Sequence, residues 1–275
     1  MTDQDEKKLE QITTEIWREE AEPNNPFAAS KSYCAGFDVY GDLLGKVSII
    51  EYLWLLFKLD PPSKTQARTL EGLAVALANP GPRDHSVRGA MNAGVGGSTR
   101  ASALIAAISI GAGNLGGARE VFIAMQYWQQ CGADLESWID IIQNPPRDER
   151  SDVWPEMEHI PGFDPNGASC PKPVQQLLKH LVDIEQDEVL VWLQSHRQTL
   201  EQHAQSPLAF SGVAAATLFA LGFEPEQAEI LFLMLRLPGA AAHALEQEKM
   251  GWSRYPFFGD GLTLTNDPGS RTNDD

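Results

Sequence analysis

From residue 46 to residue 248 the apolar side chains of this chain return every three or four positions, while the two-residue alternation of strands is hardly seen. A chain patterned this way buries itself as packed helices. Within residues 46–59, Val47, Ile50, Leu53, Trp54 and Phe57 share one face, and Pro61-Pro62 closes the run. Residues 64–78 repeat the pattern with Leu70, Leu73, Ala74 and Leu77. Further helices are expected over 99–110, 118–128, 134–142, 174–184, 188–200, 213–221, 226–235 and 240–248, and the fold class is therefore all-α. Residues 144–173, rich in Pro, Asp, Gly and Arg, read as one long irregular loop. The ends, 1–25 and 265–275, are polar and expected to be flexible, with Leu9, Ile12 and Ile16 spaced for a short helix in the first.

A chain of 275 residues with 43% hydrophobic content fills one large core or two unequal ones. Its formal charge of −17 argues against nucleic acid and anionic membrane as partners, because both reward Lys and Arg. The same field is unfavourable to any polyanion unless a local basic pocket overrides it. Cys34, Cys131 and Cys170 have neither metal-ligand spacing nor an even disulfide framework, which points to a reducing compartment and no metal site. The first 22 residues are charged rather than apolar, unlike a signal peptide, and the longest apolar runs read as too short or too Gly-rich to span a bilayer. Cytoplasm is the expected location.

Several motifs, in order along the chain, resemble one family. Tyr33-Cys-Ala-Gly-Phe-Asp38, followed by Asp42-Leu-Leu-Gly-Lys-Val-Ser48 and Glu51-Tyr-Leu-Trp-Leu-Leu56, is similar to the opening of citrate synthases. Gly116-Gly-Ala118 with Glu120 resembles their Gly-Gly-Ala-x-Glu helix start, and Leu221-Gly-Phe-Glu-Pro-Glu226 and Arg236-Leu-Pro-Gly239 with Ala242-His243 resemble the closing helices. Asn79-Pro-Gly-Pro-Arg83 stands where the short citryl-CoA lyases and the C-terminal module of ATP-citrate lyase have Asp-His-Gly-Pro. The resemblance covers roughly residues 30–264 and is to the citrate synthase superfamily, nearest these lyases. It implies a large helical domain, 26–117 and 206–264, into which a smaller helical domain, 118–205, is inserted. It also implies a homodimer, and chemistry between acetyl-CoA and oxaloacetate or on citryl-CoA, with the coenzyme A thioester as substrate and no permanently bound cofactor.

That chemistry needs a base for the acetyl proton, a donor to the enolate and an acid for the second carbonyl. Carried over residue by residue, the Asp-His-Gly-Pro histidine becomes Pro80; the His-Gly-Gly-Ala histidine of citrate synthases becomes Leu115, but the lyase-like branch lacks that histidine as well. The histidine of the Gly-x-Gly-His-Arg loop becomes Pro165 within Gly162-Phe-Asp-Pro165 or is deleted, and the catalytic aspartate becomes Ser211. Proline neither carries a proton nor donates a backbone hydrogen bond. The remaining candidates for catalysis are His85, which also reads as a helix start beside Asp84 and Ser86, together with Ser211 and Asp164. Arg236 and Arg254 match arginines that grip citrate carboxylates, the second often across the subunit boundary, and His243 matches a position beside them; ordinary surface pairing is the competing reading. Lys172 and Lys179 lie near where the family binds coenzyme A and read equally as a solvated helix face. His180, His196 and His203 read as surface residues on polar helix faces, and His159 as one in a Pro-rich loop.

Gly111-Ala-Gly-Asn-Leu-Gly116 matches the dinucleotide fingerprint but lacks any surrounding βαβ alternation, so it reads as a glycine-rich helix junction. Two functions stay open. One is an enzyme of the citrate synthase or citryl-CoA lyase type, weakened or silenced by its substituted acid–base residues and still binding a carboxylate or acyl-CoA. The other is a non-catalytic structural or regulatory subunit that pairs with an active paralogue.

Overall fold

The computed structural model describes residues 13–146, 157–184 and 186–256. Strand β1 (Arg18–Glu22) pairs antiparallel with β2 (Asn25–Cys34), which pairs in turn with β3 (Phe37–Asp38). This small sheet departs from the flexible segment expected over 1–25. Its signal was absent from the sequence because β1 is exposed at every position and β2 is buried only near its end, so neither carries an apolar period. Leu9 and Ile12 of the expected short helix, and the tail 265–275, lie outside the described residues; Ile16 sits just ahead of β1.

After a five-residue π-helical turn (Val39–Leu43), ten α-helices follow among the described residues: α1 (Ile49–Lys58), α2 (Lys64–Leu77), α3 (His85–Val95), α4 (Arg100–Gly111), α5 (Ala118–Cys131), α6 (Leu135–Gln143), α7 (Lys172–Ile184), α8 (Glu188–Ala204), α9 (Phe210–Ala220) and α10 (Pro225–Met250). Their starts are written in local chemistry. Ser48 with Glu51 and Ser63 with Gln66 form capping boxes for α1 and α2, and Asp84, Thr99, Asp134 and Asp187 cap α3, α4, α6 and α8 through side-chain oxygens. One apolar cluster joins Leu70 and Leu73 of α2, Met125 of α5, Leu181 of α7, Leu190 of α8, Leu218 of α9 and Phe232 of α10, so residues inside and outside 118–205 share a core. Trp128, Trp138 and Trp192 meet within it, with Trp128 and Trp138 edge to face at 4.7 Å between ring centroids.

Two close approaches shape the middle of the molecule. The runs 226–235 and 240–248, expected as separate helices, form the single helix α10 through Pro238. Pro238 supplies no N–H to the helix, and the next amide, Gly239 N, leaves the ladder to donate to Ala78 O at 2.7 Å. A Cβ on Gly239 would lie 2.5 Å from that oxygen, so only glycine lets the loop after α2 rest on α10. Gly162, at φ +90°, and Gly212 cross in the same manner, a Cβ on Gly212 coming 2.4 Å from Gly162 O. Around that crossing Ala209 N donates to Gly162 O, Asp164 N donates to Pro207 O, and Phe163 bridges Leu208, fastening the described part of the 144–173 loop to the start of α9.

With its two runs merged, α10 is long and apolar enough to cross a membrane, unlike the short runs read from the sequence. Here Ala228, Leu231, Phe232, Leu235, Ala240 and Ala244 are buried against neighbouring helices. Helix α9 is likewise consumed internally, buried from Ser211 to Leu218, and this accounts for its apolar composition without a partner chain. Gly239→Ala should destabilise the fold by about 1–3 kcal/mol through this overpacking, measured as a lower midpoint in urea; an unchanged midpoint would show that the loop simply shifts aside.

Candidate functional site

The first turns of α3, α5, α7 and α9 converge on one cavity of about 700 Å³. Its lining includes Asp84 and His85 at the start of α3, Gly116 and Glu120 at α5, Pro173 and Val174 at α7, and Ala209, Phe210 and Ser211 at α9. Phe232 and Arg236 of α10 close another wall, with Asn79, Pro80 and Arg83 from the loop after α2 and Phe163 to Asn166 from the loop after Gly162. Each helix start directs unpaired N–H groups and about half a positive charge toward its end, so the walls favour an acceptor-rich or anionic group. The N-cap positions Gly117 of α5 and Ala209 of α9 make no side-chain capping bond that would use up those donors.

The floor is organised by Glu120. Its residue is 1% exposed, and its carboxylate accepts from Gly116 N at 2.6 Å, Gly162 N at 2.9 Å and Ser211 Oγ at 2.6 Å. His159 Nε2 lies 3.1 Å from the same carboxylate. Burying a carboxylate is costly unless its lone pairs are filled, and here four partners from three chain segments fill them. Glu120, which the sequence reading does not single out as a site residue, falls on the stripe of α5 shared with the buried Ala124, Tyr127 and Cys131, and an acid on an apolar stripe is the sequence signal that could have found it. His159, read as a surface residue, is instead buried, because Gly162 and Ser211 bring its loop down onto this carboxylate.

Arg236 occupies the opposite wall and is almost fully buried. Nη1 donates to Gly116 O at 3.0 Å, Nη2 pairs with Asp84 Oδ2, and the guanidinium carbon stands 4.7 Å from the Phe232 ring centre. Burial pushes the guanidinium below its usual value, and Asp84 and then Glu120 act in the opposite direction. Asp84 serves two purposes with its two oxygens, since Oδ1 accepts from Ser86 N at 2.9 Å and Val87 N at 3.2 Å as the cap of α3.

The remaining candidates divide by position. His85 and Asp164 line the cavity; Arg88 Nη2 meets His85 Nδ1 at 2.9 Å, and Asp164 accepts from Asn166 N at 2.9 Å. His243 is half-buried outside the lining and touches it through Asn79 Oδ1 at 3.0 Å. Arg254 is exposed on the turn Trp252–Arg254, and Lys172 and Lys179 are exposed on α7, Lys179 pairing with Asp183 at 2.6 Å; none of the three lines this cavity. Burial, with Glu201 adding, pushes the Cys170 thiol up to about 11, so it is no ready nucleophile. Among the described residues no three His, Cys, Asp or Glu side chains group as metal ligands.

Pro80, Leu115, Pro165 and Ser211, separated by up to 131 residues in the chain, all line this one cavity. The comparison with solved structures bears on the fold. Citryl-CoA lyase from Hydrogenobacter thermophilus superposes with a TM-score of 0.67 at 19% identity, over 94% of this chain and 96% of that one. The chain has the citrate synthase-type fold of citryl-CoA lyase. ATP citrate lyase from Methanothrix soehngenii, in complex with citrate and coenzyme A, matches at a TM-score of 0.69 and 18% identity over 93% of this chain and 42% of that one. ATP citrate lyase from Methanosaeta concilii, in complex with (3S)-citryl-CoA, matches at 0.65 and 18% over 87% and 39%. This chain thus spans about two fifths of the length of those ATP citrate lyases. No protein-family model and no curated protein sequence matches.

Removing the central carboxylate would strand a buried histidine, a hydroxyl and two backbone N–H groups at once. Glu120→Ala should therefore cost about 3–5 kcal/mol, read from urea unfolding; a loss under about 1 kcal/mol would mean that water replaces the carboxylate without penalty.

Proposed function

We propose that this protein binds a carboxylate or its coenzyme A thioester, of the kind handled by citryl-CoA lyases, in the cavity between Glu120 and Arg236, and that it catalyses their carbon–carbon chemistry weakly or not at all. The observation that carries this reading is the meeting of Pro80, Pro165 and Ser211 in one cavity of a lyase-type fold. At the positions where related chemistry calls for proton carriers, this chain has two prolines and a hydroxyl. Ser211 already donates its proton to Glu120, so that oxygen is an acceptor toward a ligand rather than a base. The ligands of the ATP citrate lyase structures, citrate with coenzyme A and (3S)-citryl-CoA, support the ligand class.

A second copy of the chain is part of the proposal. Ile105 and Ile108 of α4 and Ile230 and Met234 of α10 stand exposed on helices that pack against each other, an apolar face of the sort a homodimer covers. Since Arg254 is exposed and away from its own cavity, a role in ligand binding would be exercised across that dimer. The same face would serve the alternative, in which the chain pairs with an active paralogue as a structural or regulatory subunit. Cytoplasm remains the compartment in which a reduced, coenzyme A-binding chain of this kind would work.

Cleavage of citryl-CoA to acetyl-CoA and oxaloacetate should run at least ~10³-fold below an ordinary lyase, because missing proton carriers act as a unit. Turnover at the ordinary rate would sink the proposal, and loss of that turnover in His85→Ala would then identify the substitute. Acetyl-CoA at a hundred times its dissociation constant should stabilise the protein by about 2.7 kcal/mol, seen as a raised Tm. Light scattering should give the mass of two chains at micromolar concentration, and a persistent monomer would remove the dimer from the reading.

A further inference from the structure

The cavity that a carboxylate would enter already holds one. Asp84 pairs with Arg236, the buried guanidinium on the wall, whose other terminal nitrogen is engaged by Gly116 O and whose flank is covered by Phe232. Asp84 cannot swing away freely, because its second oxygen caps α3 through Ser86 N and Val87 N, and leaving would expose those donors. The lining as a whole sets the cations Arg83 and Arg236 against the acids Asp84, Glu120 and Asp164. Arg83 is exposed and has no ion-pair partner among the described residues, whereas the guanidinium best placed for a desolvated, bidentate grip is spent inside the protein. His85, the remaining titratable group there, faces Arg88. The helix starts still attract acceptors, but with Asp84 and Arg236 cancelling each other a trianion entering this cavity meets two carboxylates, Glu120 and Asp164, and one free guanidinium, and like charges disfavour it.

We infer that Asp84 is a specificity-determining residue that acts as an internal stand-in for a ligand carboxylate, so that the acyl group accepted beside Arg236 is neutral or carries a single negative charge, as in a simple acyl-CoA thioester, rather than being a citrate-like polycarboxylate. This rests on the proposed binding of a carboxylate or its thioester and narrows it. No covalent step is involved. The ligand's acyl oxygen takes its hydrogen bonds from the helix starts and Arg83, while Arg236 remains paired.

Calorimetry on the full chain with citrate and, separately, acetyl-CoA tests it. Asp84→Asn keeps a side-chain oxygen for the cap of α3 and deletes the charge, and Asp84→Ser does the same with a shorter side chain should the first variant fold poorly. Citrate should bind the parent weakly and either variant about ten- to a hundredfold more tightly, with acetyl-CoA affinity changed less than about twofold. Adding Arg236→Gln to Asp84→Asn should return citrate affinity to the parent level, because the released guanidinium is the group that gains the ligand. Equal citrate affinity in parent and variants, or no citrate binding by any of them, overturns the inference even where acetyl-CoA binds. Failure of acetyl-CoA to bind parent or variant overturns the thioester part of the inference, and failure of both acetyl-CoA and citrate to bind overturns the proposed function with it.

Discussion

A single buried carboxylate holds the centre of this molecule together. Glu120 sits at the start of α5, yet its four partners come from its own helix entry, from the loop that carries His159 and Gly162, and from Ser211 at the start of α9. Taking such a group out of water is tolerable only when every lone pair is met, so all three segments must arrive together. The Gly162–Gly212 crossing makes that arrival sterically feasible, since a side chain at either place would collide with the opposing backbone. The shape of the cavity thus follows from satisfying one charge.

Helix starts are the second constraint. Four of them point into the same space, and each brings donors that the helix itself cannot use. Two different solutions are found around the rim. Asp84 answers α3 with a side chain of its own, whereas α5 and α9 make no such bond and leave their entry amides to whatever fills the cavity or lies beside it. The Asp84–Arg236 pair belongs to the same logic, because a buried guanidinium demands a counter-charge and the helix cap is the carboxylate within reach. One residue therefore joins stability to ligand choice.

The sequence carried the helical architecture well. Most helices appear within a few residues of their periodic runs, and the serine, threonine and aspartate caps mark several starts directly. Its failures have physical causes. The sheet of β1 to β3 is nearly all exposed and so leaves no alternation. The two runs that became α10 were divided by Pro238, which the helix accommodates because Gly239 finds its acceptor on another loop. Helix α3, announced in the sequence only by its cap, Asp84 beside Ser86, lies largely inside the molecule with Val87, Ala90 and Met91 packed on α4 and α10.

By itself the sequence determined that the chain folds as packed helices, with an order of motifs that resembles citrate synthases. Periodicity, caps and residue identity are local properties, and those conclusions need nothing else. The partnerships were decided by the tertiary structure alone. His159 reads in the sequence as a surface residue, yet in the fold it meets Glu120, 39 positions earlier; Arg236 reads either as a ligand grip or as an ordinary ion pair, and in the fold Asp84, 152 positions away, pairs with it. Charge neutralisation across such separations depends on which backbones cross and which side chains are shielded from water, and only the folded chain sets that.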